Sequence, residues 1–190
     1  KAIWGNEESS TTMSYNPGNG RGSVQTVPVK NNESVTLKSE KDWGYQAPEV
    51  EGKEYYFAGW ATSMDDANNG KATYAAGQTV HVDVNGENVL YATWIEKTVI
   101  TVKAKSGTAT YTGKEHKVEG FEATEFTVDG NKYKVEGLTA SGAAGTDAGN
   151  YTSKVTGTAV VKDAAGNNVT KQFTVKTENG SLVISKATVT

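Results

Sequence analysis

The amino-acid sequence predicts a mainly β protein, and three observations carry that prediction. Apolar and polar residues alternate with period two while a 3.6-residue period is almost absent, β-branched Val and Thr recur throughout, and turn-forming dipeptides punctuate strand-length runs. Val80, Val82 and Val84 alternate with His81 and Asp83, and Leu90, Ala92 and Trp94 alternate with Tyr91 and Thr93, as half-buried strands do.

Taken in chain order, strands are expected at residues 13–15, 23–29, 34–37, 55–60, 80–84, 90–94, 99–104, 125–128, 132–135, 151–155, 158–161, 172–175 and 181–185. Asn85-Gly86, Asp129-Gly130 and Asn179-Gly180 supply residues that tolerate the positive φ of primed hairpin turns, and Asp129-Gly130 is the best placed of them. Residues 17–22, 67–70 and 137–149 read as loops, the last for its Gly and Ala content. A length of 190 residues accommodates two domains of about 90 to 100 residues. The segment Ile95-Glu96-Lys97-Thr98 joins two strand-dense blocks, which places the boundary near residue 97: residues 11–96, then 97–190.

Composition narrows the function classes. The 19 basic and 22 acidic residues are interspersed, with a net charge of -3, so no basic face is expected for nucleic acid. There is no Cys, which removes disulfides and thiolate metal sites. No window approaches the roughly 18 apolar residues of a membrane helix. Lys1-Ala2-Ile3-Trp4 lacks a signal peptide's apolar stretch, so the sequence reads as cut from inside a longer chain, without membrane insertion and as a monomer.

Phe57-Ala58-Gly59-Trp60, then a polar loop, Tyr74, Gly77 and Leu90-Tyr91-Ala92-Thr93-Trp94 follow in an order that resembles the internalin B-type (Listeria-Bacteroides) repeat. Met13-Ser14-Tyr15-Asn16 with the Gly18–Gly22 loop matches that repeat's opening, and the likeness spans roughly 12–94. Glu51-Gly52-Lys53-Glu54 departs from the repeat's usual Gly-Tyr pair. The resemblance implies a small β-grasp-like module of bacterial surface proteins, used in arrays. Lys1-Ala2-Ile3-Trp4 echoes Tyr91-Ala92-Thr93-Trp94, so residues 1–10 read as the end of a preceding copy. From the residues themselves, Trp60 and Trp94 are expected in the core, and Gly59 to admit a close backbone or ring. Trp43, Tyr45, Tyr55 and Tyr56 are the alternative, a sugar-stacking platform.

Asp147-Ala148-Gly149-Asn150-Tyr151-Thr152-Ser153 spells the D-x-G-x-Y-x-C pattern of immunoglobulin domains, with Ser153 where the disulfide Cys would stand. Gly149 should permit a tight corner, while the Tyr151 ring packs and its hydroxyl bonds to backbone shortly upstream. Tyr111-Thr112-Gly113-Lys114, Ala148-Gly149-Asn150-Tyr151 and the closing Asn179-Gly180-Ser181-Leu182-Val183-Ile184 are similar to bacterial Ig-like surface repeats of the YDG (MBG) kind, over about 98–190. Thr112 stands in place of that family's Asp. The resemblance implies an Ig-like β-sandwich used as a spacer or adhesion domain.

Chemistry finds little purchase. His81 and His116 fall in different blocks, with no HExxH and no Ser/His/Asp order around either. Gly18, Gly20 and Gly22 feed a strand rather than a helix, unlike a nucleotide loop. Asp65-Asp66-Ala67-Asn68-Asn69-Gly70, aligned as a calcium loop, would put Ala67 at a ligand position and Ala76 where the bidentate Glu belongs. No catalytic residue, cofactor or metal is expected. A Lys–Asn isopeptide bond from Lys103 or Lys105 is left open. The expectation is a non-enzymatic adhesion or spacer segment of an extracellular, cell-surface or wall-associated bacterial protein, with a surface protein or glycan as partner. The alternative is a carbohydrate-binding module of a secreted glycan-processing enzyme.

Overall fold

The computed structural model describes residues 10–82 and 88–188 of the chain. It is mainly β, with several sheets, and divides into two compact units, Lys1–Lys97 and Thr98–Thr190. Asn85-Gly86 lies outside the described residues.

The first unit contains β1 (Ser10–Asn16), β2 (Gln25–Lys30), β3 (Ser34–Thr36), β4 (Tyr55–Ala61), α1 (Met64–Asn68), β5 (Thr79–His81) and β6 (Val89–Glu96). Its main sheet runs β2-β1-β6-β4, and a separate ribbon pairs β3 with β5. The first and last strands, β1 and β6, are parallel neighbours at the centre, with Ser14, Tyr15 and Asn16 in register with Val89, Leu90 and Tyr91. Their flanking partners are antiparallel. Met13, Tyr15, Phe57, Trp60, Leu90 and Ala92 close a single core. Strict alternation along β6 fails at Thr93, which is fully buried, because α1 lies against this strand. That helix stands where the sequence reads as a loop. Ser63 caps it by accepting from Asp66 N–H at 3.1 Å, and Asp65 and Asp66 sit in its first turn, where the helix dipole favours acids.

The second unit contains β7 (Thr98–Lys103), β8 (Gly107–Thr110), β9 (His116–Val118), β10 (Glu125–Val128), β11 (Asn131–Ala140), β12 (Ala143–Gly145), β13 (Gly149–Ser153), β14 (Val155–Asp163), β15 (Phe173–Glu178) and β16 (Gly180–Ser185). It has two three-stranded sheets, β10-β11-β14 and β13-β16-β8, and two two-stranded pairs, β12-β9 and β15-β7. Again the chain's opening and closing strands are parallel: β7 runs beside β15, and β8 beside β16. Val102, Val135, Val161 and Phe173 form one cluster, and Ala143, Leu182 and Ile184 another.

Asp129-Gly130 makes the expected two-residue hairpin, with φ of 50° and 80° between the paired Val128 and Asn131. Asn179-Gly180 does not turn a hairpin. The strands on either side pair with β7 and β8 rather than with each other, neither residue has positive φ, and Asn179 Oδ1 accepts from Val155 N–H at 2.9 Å. The Gly/Ala-rich segment 137–149 is not a loop either, since most of it lies in β11 and β12. Its glycines serve close approach. Gly137, in the bulge, and Gly157, in register with Leu138, lie where a Cβ on either would strike partner backbone, at Thr158 and Gly137 respectively.

Candidate functional site

In the first unit six aromatic residues form one connected body. Trp60, fully buried, meets Tyr15 edge-on at 4.9 Å between centroids, Phe57 at 5.1 Å and Tyr45 at 6.2 Å. Phe57 in turn meets Trp94 at 5.7 Å, and Tyr15 meets Trp43 at 5.1 Å. Such edge-to-face pairs add to the apolar burial of the rings. The polar ends are anchored to main chain: Trp60 Nε1–H donates to Lys38 C=O at 2.8 Å, and Trp94 Nε1–H to Pro17 C=O at 2.9 Å. The Pro17–Gly22 loop owes one of its glycines to this contact, since a Cβ on Gly20 would collide with the Trp94 indole. Gly59, with φ of 134°, lets Tyr74 C=O come within 2.5 Å of where its Cβ would stand, at the bulge where β4 takes Tyr74 as a second partner.

These placements bear on the sugar-platform residues. Tyr45 is in the core, and its hydroxyl lies 2.8 Å from both Tyr15 C=O and Ser23 C=O. Trp43 is half-buried against Tyr15, with its Nε1–H buried and unpaired. Tyr55 and Tyr56 are half-buried and, as successive residues of β4, point to opposite sides of the sheet. The four rings therefore do not share one exposed plane. Burial pushes the Tyr15 and Tyr45 hydroxyls above the ordinary tyrosine range, opposed by hydrogen bonds from the Lys38 and Gln25 backbone respectively.

In the second unit Tyr151 Oη donates to Asp147 C=O at 2.9 Å, the four-residue backward bond that the D-x-G-x-Y spacing implies. The Asp147 carbonyl is the group used, and its side chain lies on an exposed residue. The Tyr151 ring is half-buried rather than largely buried, packed on Ala143, Leu182 and Ile184 in the edge strand β13. The glycine that admits the ring is Gly145, whose Cβ would fall inside it, whereas a Cβ on Gly149 would make ordinary contact at 3.8 Å. Tyr151→Phe should lower the second unit's stability by about 1 kcal/mol, the net value of one hydrogen bond. Chemical denaturation would show it, and an unchanged midpoint would discount the bond.

Ser153 is buried, and its Oγ accepts from Gly142 N–H at 3.0 Å, while Ser141 Oγ accepts from Lys154 N–H at 2.8 Å. Two strand breaks, between β11 and β12 and between β13 and β14, are thus clasped side by side. Lys103 Nζ lies 3.5 Å from the Glu178 carboxylate on the neighbouring strand, with both side chains about half exposed.

Sequence reasoning passed over an open cleft of about 480 Å³ at the β10–β11 hairpin, lined by Phe126, Tyr133, Lys132, Lys134 and Asp163. Of its two acids, Glu125 and Asp163, the second is committed to its own turn. Asp163 Oδ1 accepts from Asn167 N–H at 2.8 Å and from Ala165 N–H at 3.0 Å, and Asn167 Nδ2 donates to Oδ2 at 3.2 Å. The Asn167 backbone bond is the main reason its carboxyl is held below the ordinary carboxylate range. A depressed folded-state pKa stabilises the fold above the unfolded value of about 3.9 and is lost as pH falls through the folded value. Asp163→Asn should therefore be less stable than the parent near neutrality, and the gap should close in strong acid. Denaturation midpoints at several pH values would test this, and a gap that persists in acid would count against it.

His81 Nδ1 lies 3.5 Å from Ser34 Oγ, and His116 Nε2 lies 2.9 Å from Thr112 Oγ1, in separate units. Among the described residues no group of three His, Asp or Glu could hold a metal ion, and no helix is long and apolar enough to cross a membrane. No family model, curated protein or solved structure matches the chain.

Proposed function

We propose that the chain is a non-catalytic pair of spacer-adhesion modules from a bacterial cell-surface or secreted protein, an internalin B-type repeat followed by an Ig-like repeat of the YDG kind. The observation that carries this reading is the parallel pairing of opening and closing strands in each unit. Parallel neighbours start at the same end of their ladder, so the start of the first strand and the finish of the last lie at opposite ends of the module. Chain entering at one end and leaving at the other is what a stalk element requires.

Further features support the two module types. The order β2-β1-β6-β4 with a parallel centre suits a β-grasp-like sheet. Opening strands that pass from β15 to β16 as partners, together with the Tyr151 corner, suit an Ig-like sandwich with Ser153 at the Cys position. The scattered placement of Trp43, Tyr45, Tyr55 and Tyr56 weighs against the carbohydrate-binding alternative. Titration of the full chain against a glycan array should give no saturable binding. A saturable glycan would replace the spacer reading with the carbohydrate-binding one, and turnover in a glycosidase or peptidase screen would remove the non-catalytic reading.

A further inference from the structure

We propose that the second unit is a load-bearing element whose parallel terminal strands act as a shear clamp, and that it holds against forces at which the first unit gives way. The proposal rests on the spacer reading for its biological setting, but the clamp itself follows from strand geometry. When a module is pulled by its ends, the bonds between its terminal strands resist. Parallel terminal strands slide along each other, so all the bonds of their ladder bear the load together. Strands pulled apart from a common end unzip one bond at a time. Forced unfolding is governed by the unfolding barrier, which the two directions therefore raise very differently at the same equilibrium stability.

The two units differ in how much ladder is loaded. In the first, β1 and β6 pair, among the described residues, over Ser14–Asn16 against Val89–Tyr91, reinforced by Ser14 N–H to Asn88 C=O at 2.7 Å. In the second, all six residues of β7 are in register with Phe173–Glu178, and all four of β8 with Leu182–Ser185. The interval between these two ladders is also bonded. Ala104 N–H donates to Glu178 C=O at 3.0 Å, Ser181 N–H to Ser106 Oγ at 3.0 Å, and Tyr111 N–H extends the far end to Ser185 C=O at 2.8 Å. Both strands of the clamp break at the same level and change sheets together. The crossing is closed by Gly180 lying flat on Lys105 C=O, where a Cβ has no room. The loaded ladder is anchored in the core on one side through Val102 and Phe173 and on the other through Leu182 and Ile184. Sliding would pull apolar residues of both clusters out of their seats at once.

The absence of cysteine allows a direct test in the full chain, because introduced cysteines become the sole handles. Thr98→Cys with Lys186→Cys loads β7 against β16 from opposite ends, in shear. Thr98→Cys with Lys171→Cys loads the paired ends of β7 and β15, so that the same ladder unzips. All of these positions are exposed, and the two double variants should have equal denaturation midpoints. In single-molecule pulling, the shear pair should break at a several-fold higher force than the unzipping pair. Pulling the unmodified sequence from its two ends should show two events, each releasing about 30 nm of chain at roughly 3.5 Å per residue. Gly180→Ala should lower the force of the later one only. Equal forces in the two directions, or loss of the earlier event in Gly180→Ala, would overturn the clamp. Neither result depends on ligand binding, so the clamp and the spacer reading fail separately.

Discussion

Trp60→Ala is expected to unfold the first unit, or nearly so, while the second unit keeps its transition. Replacing a fully buried Trp by Ala typically costs about 3–5 kcal/mol, set against total domain stabilities of about 5–15 kcal/mol. Here the loss falls on the one ring that touches Tyr15, Tyr45 and Phe57 together, and it also leaves the Lys38 carbonyl without its indole donor. Partial collapse of the site is hindered because Gly59 and Tyr74 fix the backbone around it. The measurement is simple to assign, since all four Trp residues precede residue 97 and indole fluorescence reports on the first unit alone. Far-ultraviolet circular dichroism follows both units. An equal shift in a second, fluorescence-silent transition would show that the units unfold as one.

Gly180→Ala should destabilise the second unit by about 3 kcal/mol, at the upper end of overpacking costs. The new Cβ would meet the Lys105 carbonyl, and Ala104 C=O lies 3.0 Å from the same point, so the obstacle is backbone that is itself held, through Ala104 N–H to Glu178 C=O and Lys105 N–H to Gly120 C=O. Conformational strain contributes nothing, since Gly180 has no positive φ. Gly166→Ala provides the contrast. That residue has φ of 86° with open space around it, so only backbone strain of about 1 kcal/mol is at stake. Thermal or denaturant unfolding of both variants would separate the two causes. Equal effects at the two positions would mean that the close approach at Gly180 is not a constraint.

Most strands were legible because their apolar side chains alternate: β4 and β6 carry Phe57, Trp60, Leu90 and Ala92 to the core as the pattern requires. The Asp129-Gly130 turn and the Tyr151 bond were legible because they are local, set by residues two to four apart. The missed strands are those whose residues carry almost no apolar signal. Gly107–Thr110, His116–Val118 and Ala143–Gly145 become strands through partners distant in sequence. The misreading of Asn179-Gly180 has the same origin. The dipeptide permits a hairpin, but the neighbouring strands are claimed by β7 and β8, and the tertiary pairing outweighs the local preference. At the candidate site, sequence pointed to Trp60 and Gly59, expected Trp94 in the core where it is half-buried against it, and could not divide core rings from exposed ones, because Tyr45 and Tyr55 look alike until the fold assigns them sides.

The clasp at Ser153 has a consequence for where such a module can work. A disulfide at this corner would make folding wait on an oxidant and would make the finished domain vulnerable to thiols. Here two hydroxyls and two main-chain amides hold the paired strand breaks through Ser141, Gly142, Ser153 and Lys154, and no sulfur is involved. The domain therefore reaches the same structure in reducing and oxidising surroundings, and its durability is indifferent to the redox poise on either side of a membrane.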